Sequence, residues 1–300
     1  NWCWGEVHAG RPLAEFHNPE LGAPDESGWQ PAPAARPRKV AVVGAGPAGL
    51  EAAWVSAARG HRVTLFGARP EVGGALALEA RLPGRAEIAK VPAWQLRQCE
   101  KHGVALRLGE RASAETVRAL GADVVVLATG AELRPPELET ADGRILSVRD
   151  YARTAPSIQG GTAVLYDHDH TAATYAAAEA LAARHDRVVL VTPRTQIAQA
   201  VNYCSAIGVH RRLRTLGVEI VTGARPLAFA RGIVRIEDVF SNRASEIRDV
   251  KLLVYATPRR VRDALAHELA DLDCRLIGDC MAPRNLMIAI HEGYAVGCAL

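Results

Sequence analysis

Short apolar runs cut off by glycine or charge set the pattern of this chain. Residues 39–43 (Lys-Val-Ala-Val-Val) form the continuous apolar stretch expected of a strand buried on both faces. The run continues into Gly44-Ala-Gly-Pro-Ala-Gly-Leu50, a helical stretch from Ala48 to about Arg59, and a second apolar strand over residues 62–66. Two further strand signals lie far downstream, over residues 123–130 (ending Ala-Thr-Gly) and 275–279 (ending Gly-Asp). Between them a strand–helix–strand pattern repeats over residues 162–166, 171–184 and 187–191. A helix over 207–216 and strands over 218–221, 231–239 and 250–255 complete it. Alternating β and α signals predict an α/β fold of two doubly wound Rossmann-like domains with parallel sheets, the second inserted in the first.

The first turn carries the chemistry. Gly44, Gly46 and Gly49 form G-x-G-x-x-G between a strand and a helix, and a second strand closes the βαβ unit. Gly44 permits the tight turn, Gly46 lets the backbone approach a pyrophosphate, and Gly49 lets helix and strand pack closely. The helix N-terminus then offers unpaired N–H groups and a positive dipole end to phosphates.

The 300 residues have ordinary globular composition, 49% hydrophobic and 23% charged, enough for two modest domains. The net charge of +3 comes without a basic block, which argues against a nucleic-acid surface. Every apolar run breaks before membrane-spanning length. Six scattered cysteines (Cys3, Cys99, Cys204, Cys274, Cys280 and Cys298) show no C-x-x-C, so reduced thiols and a cytoplasmic location are expected. Lone histidines at positions 61, 102, 185 and 210 stand in polar stretches and read as surface residues. Residues 1–37 differ from the rest: they hold Trp2, Trp4 and Trp29 and end in a Pro/Ala-rich linker. This composition points to packing against a partner. The chain starts at Asn1 and reads as a piece of something longer.

Gly44-Ala-Gly-Pro-Ala-Gly49, Glu71-Val-Gly-Gly74, Ala128-Thr-Gly130 and Ile277-Gly-Asp279, in that order, resemble the motifs of glutathione-reductase-like two-dinucleotide-binding-domain flavoproteins. More narrowly, the chain is similar to the C-terminal half of old-yellow-enzyme-type iron–sulfur flavoenzymes, the family of trimethylamine dehydrogenase, amine demethylases and 2,4-dienoyl-CoA reductase. Asn1-Trp-Cys3 and His17-Asn-Pro19 look like the end of that family's iron–sulfur segment.

The resemblance implies residues 1–37 as a remnant of that segment plus linker, 38–157 with 259–300 as an FAD- or ADP-binding domain, and 158–258 as an inserted NAD(P)-type domain. It implies that Gly44, Gly46, Pro47, Ala48, Gly49 and Leu50 cradle the pyrophosphate, and that Gly73 and Gly74 lie on the flavin side. Thr129 and Gly130 would line the crossing, Gly278 and Asp279 would meet the ribityl chain, and the helix bearing Met287 would face the ring. FMN and a 4Fe–4S cluster belong to the full-length parent or a partner, whose FMN-binding barrel does the substrate chemistry. Cys3 would be one ligand of that cluster.

Four departures bear on function. Gly67 stands where the second strand should end in an acid for the ribose hydroxyls, with Arg69 two residues on as a candidate for a 2′-phosphate or adenine. The inserted domain has Asp167-His-Asp-His-Thr171 where an NAD(P)H fingerprint should be. Its carboxylates would repel a pyrophosphate, so a capped structural remnant is expected there rather than a nicotinamide or metal site. Glu15, Phe16 and His17 stand where a fourth cluster cysteine would fall, so this chain alone has no full ligand set. Disulfide reduction is excluded because no cysteine pair faces the flavin. The expectation is an FAD- or ADP-binding oxidoreductase module that relays electrons. The alternatives are a non-redox nucleotide-binding structural module and a fragment of an NAD(P)H-dependent enoate reductase.

Overall fold

The computed structural model describes residues 2–21, 26, 30–141 and 144–300; Trp29 lies outside them. The chain forms two compact units. One comprises residues 2–77, 87–132 and 259–300, the other residues 78–86 and 133–258.

The first unit is built on a five-stranded parallel sheet in the order Cys274–Leu276, Val124–Leu127, Lys39–Val43, Arg62–Gly67, Ala105–Leu108. The first strand of the chain is therefore central, and its unbroken apolar run follows from that place. Val40 and Val42 enter one core, with Trp54, Leu65 and Cys99. Ala41 and Val43 enter the other, with Phe66, Val125 and Leu127. Helix Pro47–Ala58 covers the first face, and the C-terminal helix Leu286–Ala299 lies against it. That contact is close because of two glycines. A Cβ at Gly297 would come within 2.7 Å of Val55, and one at Gly293 would overlap the Ala48 carbonyl oxygen. A neighbouring stripe of the C-terminal helix holds the leading segment. Trp2 Nε1 donates to Met287 Sδ at 3.0 Å, His291 Nε2 bonds the Glu15 carbonyl at 2.8 Å, and Tyr294 bonds Glu20. Spacings of four and three put these residues along one helix stripe. Trp4, in the short helix Trp2–His8, is 63% exposed.

The second unit has its own five-stranded parallel sheet, ordered Glu219–Val221, Arg187–Val191, Thr162–Asp167, Val250–Ala256, Ile145–Ser147. Ala163, Leu165, Val188 and Leu190 face its helices, while Val164, Val189 and Val191 face a second sheet. This organisation corrects two expectations. The division falls at Leu133, not 157, because Ile145–Ser147 pairs with Val250–Ala256 and Tyr151 joins the second unit's core. The stretch 231–239 is not part of a parallel sheet. It supplies Ile233–Asp238, the middle strand of an antiparallel meander with Ala224–Ala230 and Ala244–Ile247. The hairpin turn is Arg231-Gly232, both at positive φ (49° and 75°), as a type I′ turn requires.

His61 and His185 are not on the surface: they are 5% and 7% exposed. Each follows a helix at the start of the next strand and turns in to a backbone group. His61 Nδ1 accepts from the Arg38 N–H at 3.0 Å, and His185 Nδ1 bonds the Gly160 carbonyl at 2.8 Å. Among the described residues no helix is long and apolar enough to cross a membrane.

Candidate functional site

The site grows from the N-terminus of helix Pro47–Ala58. Gly46 is its N-cap in an extended conformation with no side-chain cap, and Pro47 occupies the first helical position, where a missing N–H costs nothing. The N–H groups of Ala48 and Gly49 have no acceptor within the helix, and Leu50 N is the first to bond back, to the Gly46 carbonyl at 2.9 Å.

Three other motifs close on this helix end. Gly44, at φ 120°, backs onto Ala128, whose carbonyl a Cβ there would overlap. The Gly73 N–H donates to the Ala45 carbonyl at 2.7 Å, and a Cβ on Gly74 would stand 3.3 Å from Gly46 Cα. A Cβ on Gly278 would stand 2.8 Å from the Ala48 methyl. At Gly46 and Gly130 the Cβ position is open, with nothing within 4 Å. The structure thus brings together the expected residues from 44 to 50, Gly73, Gly74 and Gly278. Thr129 donates to the Arg262 carbonyl and lies 3.0 Å from Cys280 Sγ, a buried thiol whose pKa desolvation raises.

Gly67 has a tertiary explanation. A Cβ there would stand 2.8 Å from Leu108 Cδ2 and 3.0 Å from the Ala45 methyl, so no acid fits without moving its neighbours.

The buried side of the fingerprint helix carries a polar pair that motif reasoning missed, Glu51 on the helix and Gln95 packed against it. Gln95, on helix Lys90–Lys101, donates from Nε2 to the Pro47 carbonyl at 3.0 Å and to Glu51 Oε2 at 2.7 Å. Glu51 is 1% exposed, and its Oε1 has no hydrogen-bond partner among the described residues. Desolvation pushes its carboxyl up to about 7, opposed in part by the Gln95 hydrogen bond. No sequence pattern distinguishes a buried glutamate from an exposed one on a helix this apolar.

The corresponding loop of the second unit is closed. Asp167, wholly buried, accepts from the His170 N–H at 2.9 Å and from the Tyr175 hydroxyl at 2.7 Å. Desolvation raises its carboxyl to about 7, and desolvation lowers His170 to about 4, so the imidazole is neutral. Asp169 accepts from the Thr171 N–H at 3.0 Å and the Thr174 hydroxyl at 2.7 Å. The first helix end is bare; this one already carries a carboxylate.

Cys3 is half-buried in helix Trp2–His8. Among the described residues no group of three or more His, Cys, Asp or Glu could hold a metal ion.

A family model described as pyridine nucleotide-disulphide oxidoreductase matches residues 38–297. The probable N-methylproline demethylase of Rhizobium meliloti (strain 1021) is 34% identical over 218 residues, covering 73% of this chain and 32% of that protein. The N,N-dimethylglycine/sarcosine dehydrogenase of Chromohalobacter salexigens is 32% identical over 343 residues, covering 99% of this chain and 49% of that protein. Among solved structures, 2-naphthoyl-CoA reductase superposes with a TM-score of 0.90 at 27% identity, over 100% of this chain and 45% of that one. The chain spans between a third and a half of the length of these relatives. It belongs to the pyridine nucleotide-disulphide oxidoreductase family of flavin-dependent oxidoreductases, in the form found in old-yellow-enzyme-type amine dehydrogenases and reductases.

Proposed function

We propose that this chain is the dinucleotide-binding module of an FMN- and iron–sulfur-containing flavoenzyme, holding FAD at the fingerprint and relaying electrons rather than acting on substrate. The observation that carries this reading is the convergence of four motifs on one uncapped helix end, with open space at Gly46 and Gly130. Gly44 to Leu50 would hold the pyrophosphate through backbone N–H groups. Gly73 and Gly74 would bring the backbone against the flavin side, Thr129 and Gly130 would line the crossing, and Gly278 and Asp279 would meet the ribityl chain. The N-terminus of the C-terminal helix, whose first turn carries Met287, would aim its dipole at the ring. FAD, when bound, supplies the electron-transfer chemistry; the chain supplies binding, orientation and electrostatics. The remaining length of the relatives is where an FMN-binding barrel and a full 4Fe–4S ligand set would sit, with Cys3 contributing one thiolate. The exposed Trp4 beside Cys3 fits a face covered by that portion.

The test is an absorbance spectrum of the purified chain from about 300 to 600 nm, followed by denaturation and chromatography of the released nucleotide. FAD is expected. A colourless protein that releases ADP, or nothing, sinks the relay reading and favours a non-redox structural module, which the packed Gly67 supports.

The second unit is expected to take no NAD(P)H, because Asp169 occupies the helix end where phosphate would bind. Titration with NADPH up to about 1 mM should give no saturable signal. Saturable binding, or bleaching of a bound flavin by NADPH, would instead identify an enoate-reductase-type fragment.

A further inference from the structure

Asp279 is expected to accept a ribityl hydroxyl, yet both of its oxygens already have partners within the chain. Oδ1 accepts from the Arg284 N–H at 3.0 Å, and Oδ2 is paired with the Arg259 guanidinium. The second arm of Arg259 donates from Nη2 to the Arg284 carbonyl at 2.6 Å. Arg284 is in turn paired with Glu292, which accepts from the Gly278 N–H at 2.8 Å. Arg259, Asp279, Arg284 and Glu292 therefore form a closed circuit around the loop between the Gly-Asp motif and the C-terminal helix. The Arg259 and Asp279 side chains are about four-fifths buried. A guanidinium that gives one arm to a carboxylate and the other to a backbone carbonyl fixes geometry as well as charge. The neighbouring cations are committed elsewhere: Arg260 and Arg262 both face Glu132. Arg259 is thus the cation joined to the Gly-Asp carboxylate, and each carboxylate oxygen still has a lone pair to offer.

We propose that Arg259 is a positioning residue of the dinucleotide site, fixing Asp279 for the ribityl chain and holding a positive charge beside the flavin; this rests on the flavin reading above. The side chain comes from strand Arg259–Val261, outside every motif of the site. Removing it leaves Asp279 held by the Arg284 N–H alone and takes away the cation paired with Oδ2. Both changes disfavour an electron-rich ligand.

The experiment uses the full chain and three proteins: wild type, Arg259→Gln and Arg259→Lys. Each is titrated with FAD by flavin fluorescence, and the midpoint potential of the bound flavin is then measured. Arg259→Gln is expected to raise the dissociation constant at least about tenfold and to move the potential to more negative values. Arg259→Lys should bring the potential back toward wild type while restoring affinity only in part, since lysine returns the charge without the fork. A variant that merely melts earlier, with unchanged affinity and potential, would mean the ion pair is only structural and overturns the proposal. Wild type that takes no FAD overturns the flavin reading and this inference together. Wild type that binds FAD with an identical Arg259→Gln titration overturns the inference alone.

Discussion

Gly46→Ala is expected to leave the melting temperature of the chain within about 2 °C of wild type while weakening ADP or FAD binding by roughly 10- to 100-fold. Gly49→Ala, three residues on, is expected to destabilise the first unit by more than about 3 kcal/mol. The two glycines share a motif but face different surroundings. At Gly46 the backbone is extended (φ −84°, ψ 177°) and an added methyl meets nothing within 4 Å, so the folded chain accepts it. The same methyl stands where a pyrophosphate must approach the helix end. At Gly49 an added methyl overlaps the Gly44 carbonyl oxygen, a backbone atom that cannot swing aside. Relief requires helix and strand to separate in a layer that holds Leu50, Ala52 and Val40, all wholly buried. A loss of that size lowers the melting temperature of a unit of this length by roughly 6–12 °C. Differential scanning fluorimetry and calorimetric titration with ADP read both effects. Unchanged nucleotide affinity in Gly46→Ala would show that the ligand does not lie over this turn, and unchanged stability in Gly49→Ala would contradict the packing described.

The contrast also shows which features were legible in the sequence. Gly44, Gly49 and Gly278 are required by close approaches of backbone or methyl groups that only a hydrogen atom allows, so their spacing reports the geometry directly. The central strand was legible for a similar reason: a strand covered on both faces must be apolar without interruption. Gly67 was not, because the atoms that crowd a side chain there belong to Leu108 and Ala45, on other elements of the unit. Nor were His61 and His185, since a histidine bonded to a backbone group reads like any polar residue in a polar stretch. The antiparallel meander had a signal, the Arg231-Gly232 turn, that strand periodicity alone conceals. Arg259 had none. Its role depends on Asp279, Arg284 and Glu292 arriving from further along the chain.

Glu51→Gln is expected to stabilise the protein above pH 7 and to leave it unchanged near pH 4. The wild-type carboxyl is desolvated, bonded by one amide, and raised from 4.5 to about 7 in the folded chain. An acid raised on folding binds more protons in the native than in the unfolded state between those values. Stability therefore falls as pH rises through the window from about 4.5 to 7 and stays low above it. The full penalty is about 3 kcal/mol. A neutral glutamine keeps an acceptor for Gln95 and removes the burial cost of charge, so the variant should gain up to that amount at alkaline pH. This corresponds to roughly 6–12 °C in a unit of this size. Asp167 predicts a second loss of the same sign in the other unit, raised from 3.8 to about 7. His170 acts in the opposite direction: lowered from 6.5 to about 4, it removes stability as pH falls between those values. Thermal melts from pH 4 to pH 9 on wild type and Glu51→Gln separate these contributions, because only the Glu51 contribution differs between the two proteins. Parallel curves across the whole range would show that Glu51 is already neutralised or solvated in the folded chain. A gap that opens between pH 4.5 and 7 and then holds constant would show that the buried carboxyl of helix Pro47–Ala58 keeps its proton up to about pH 7 in the folded chain.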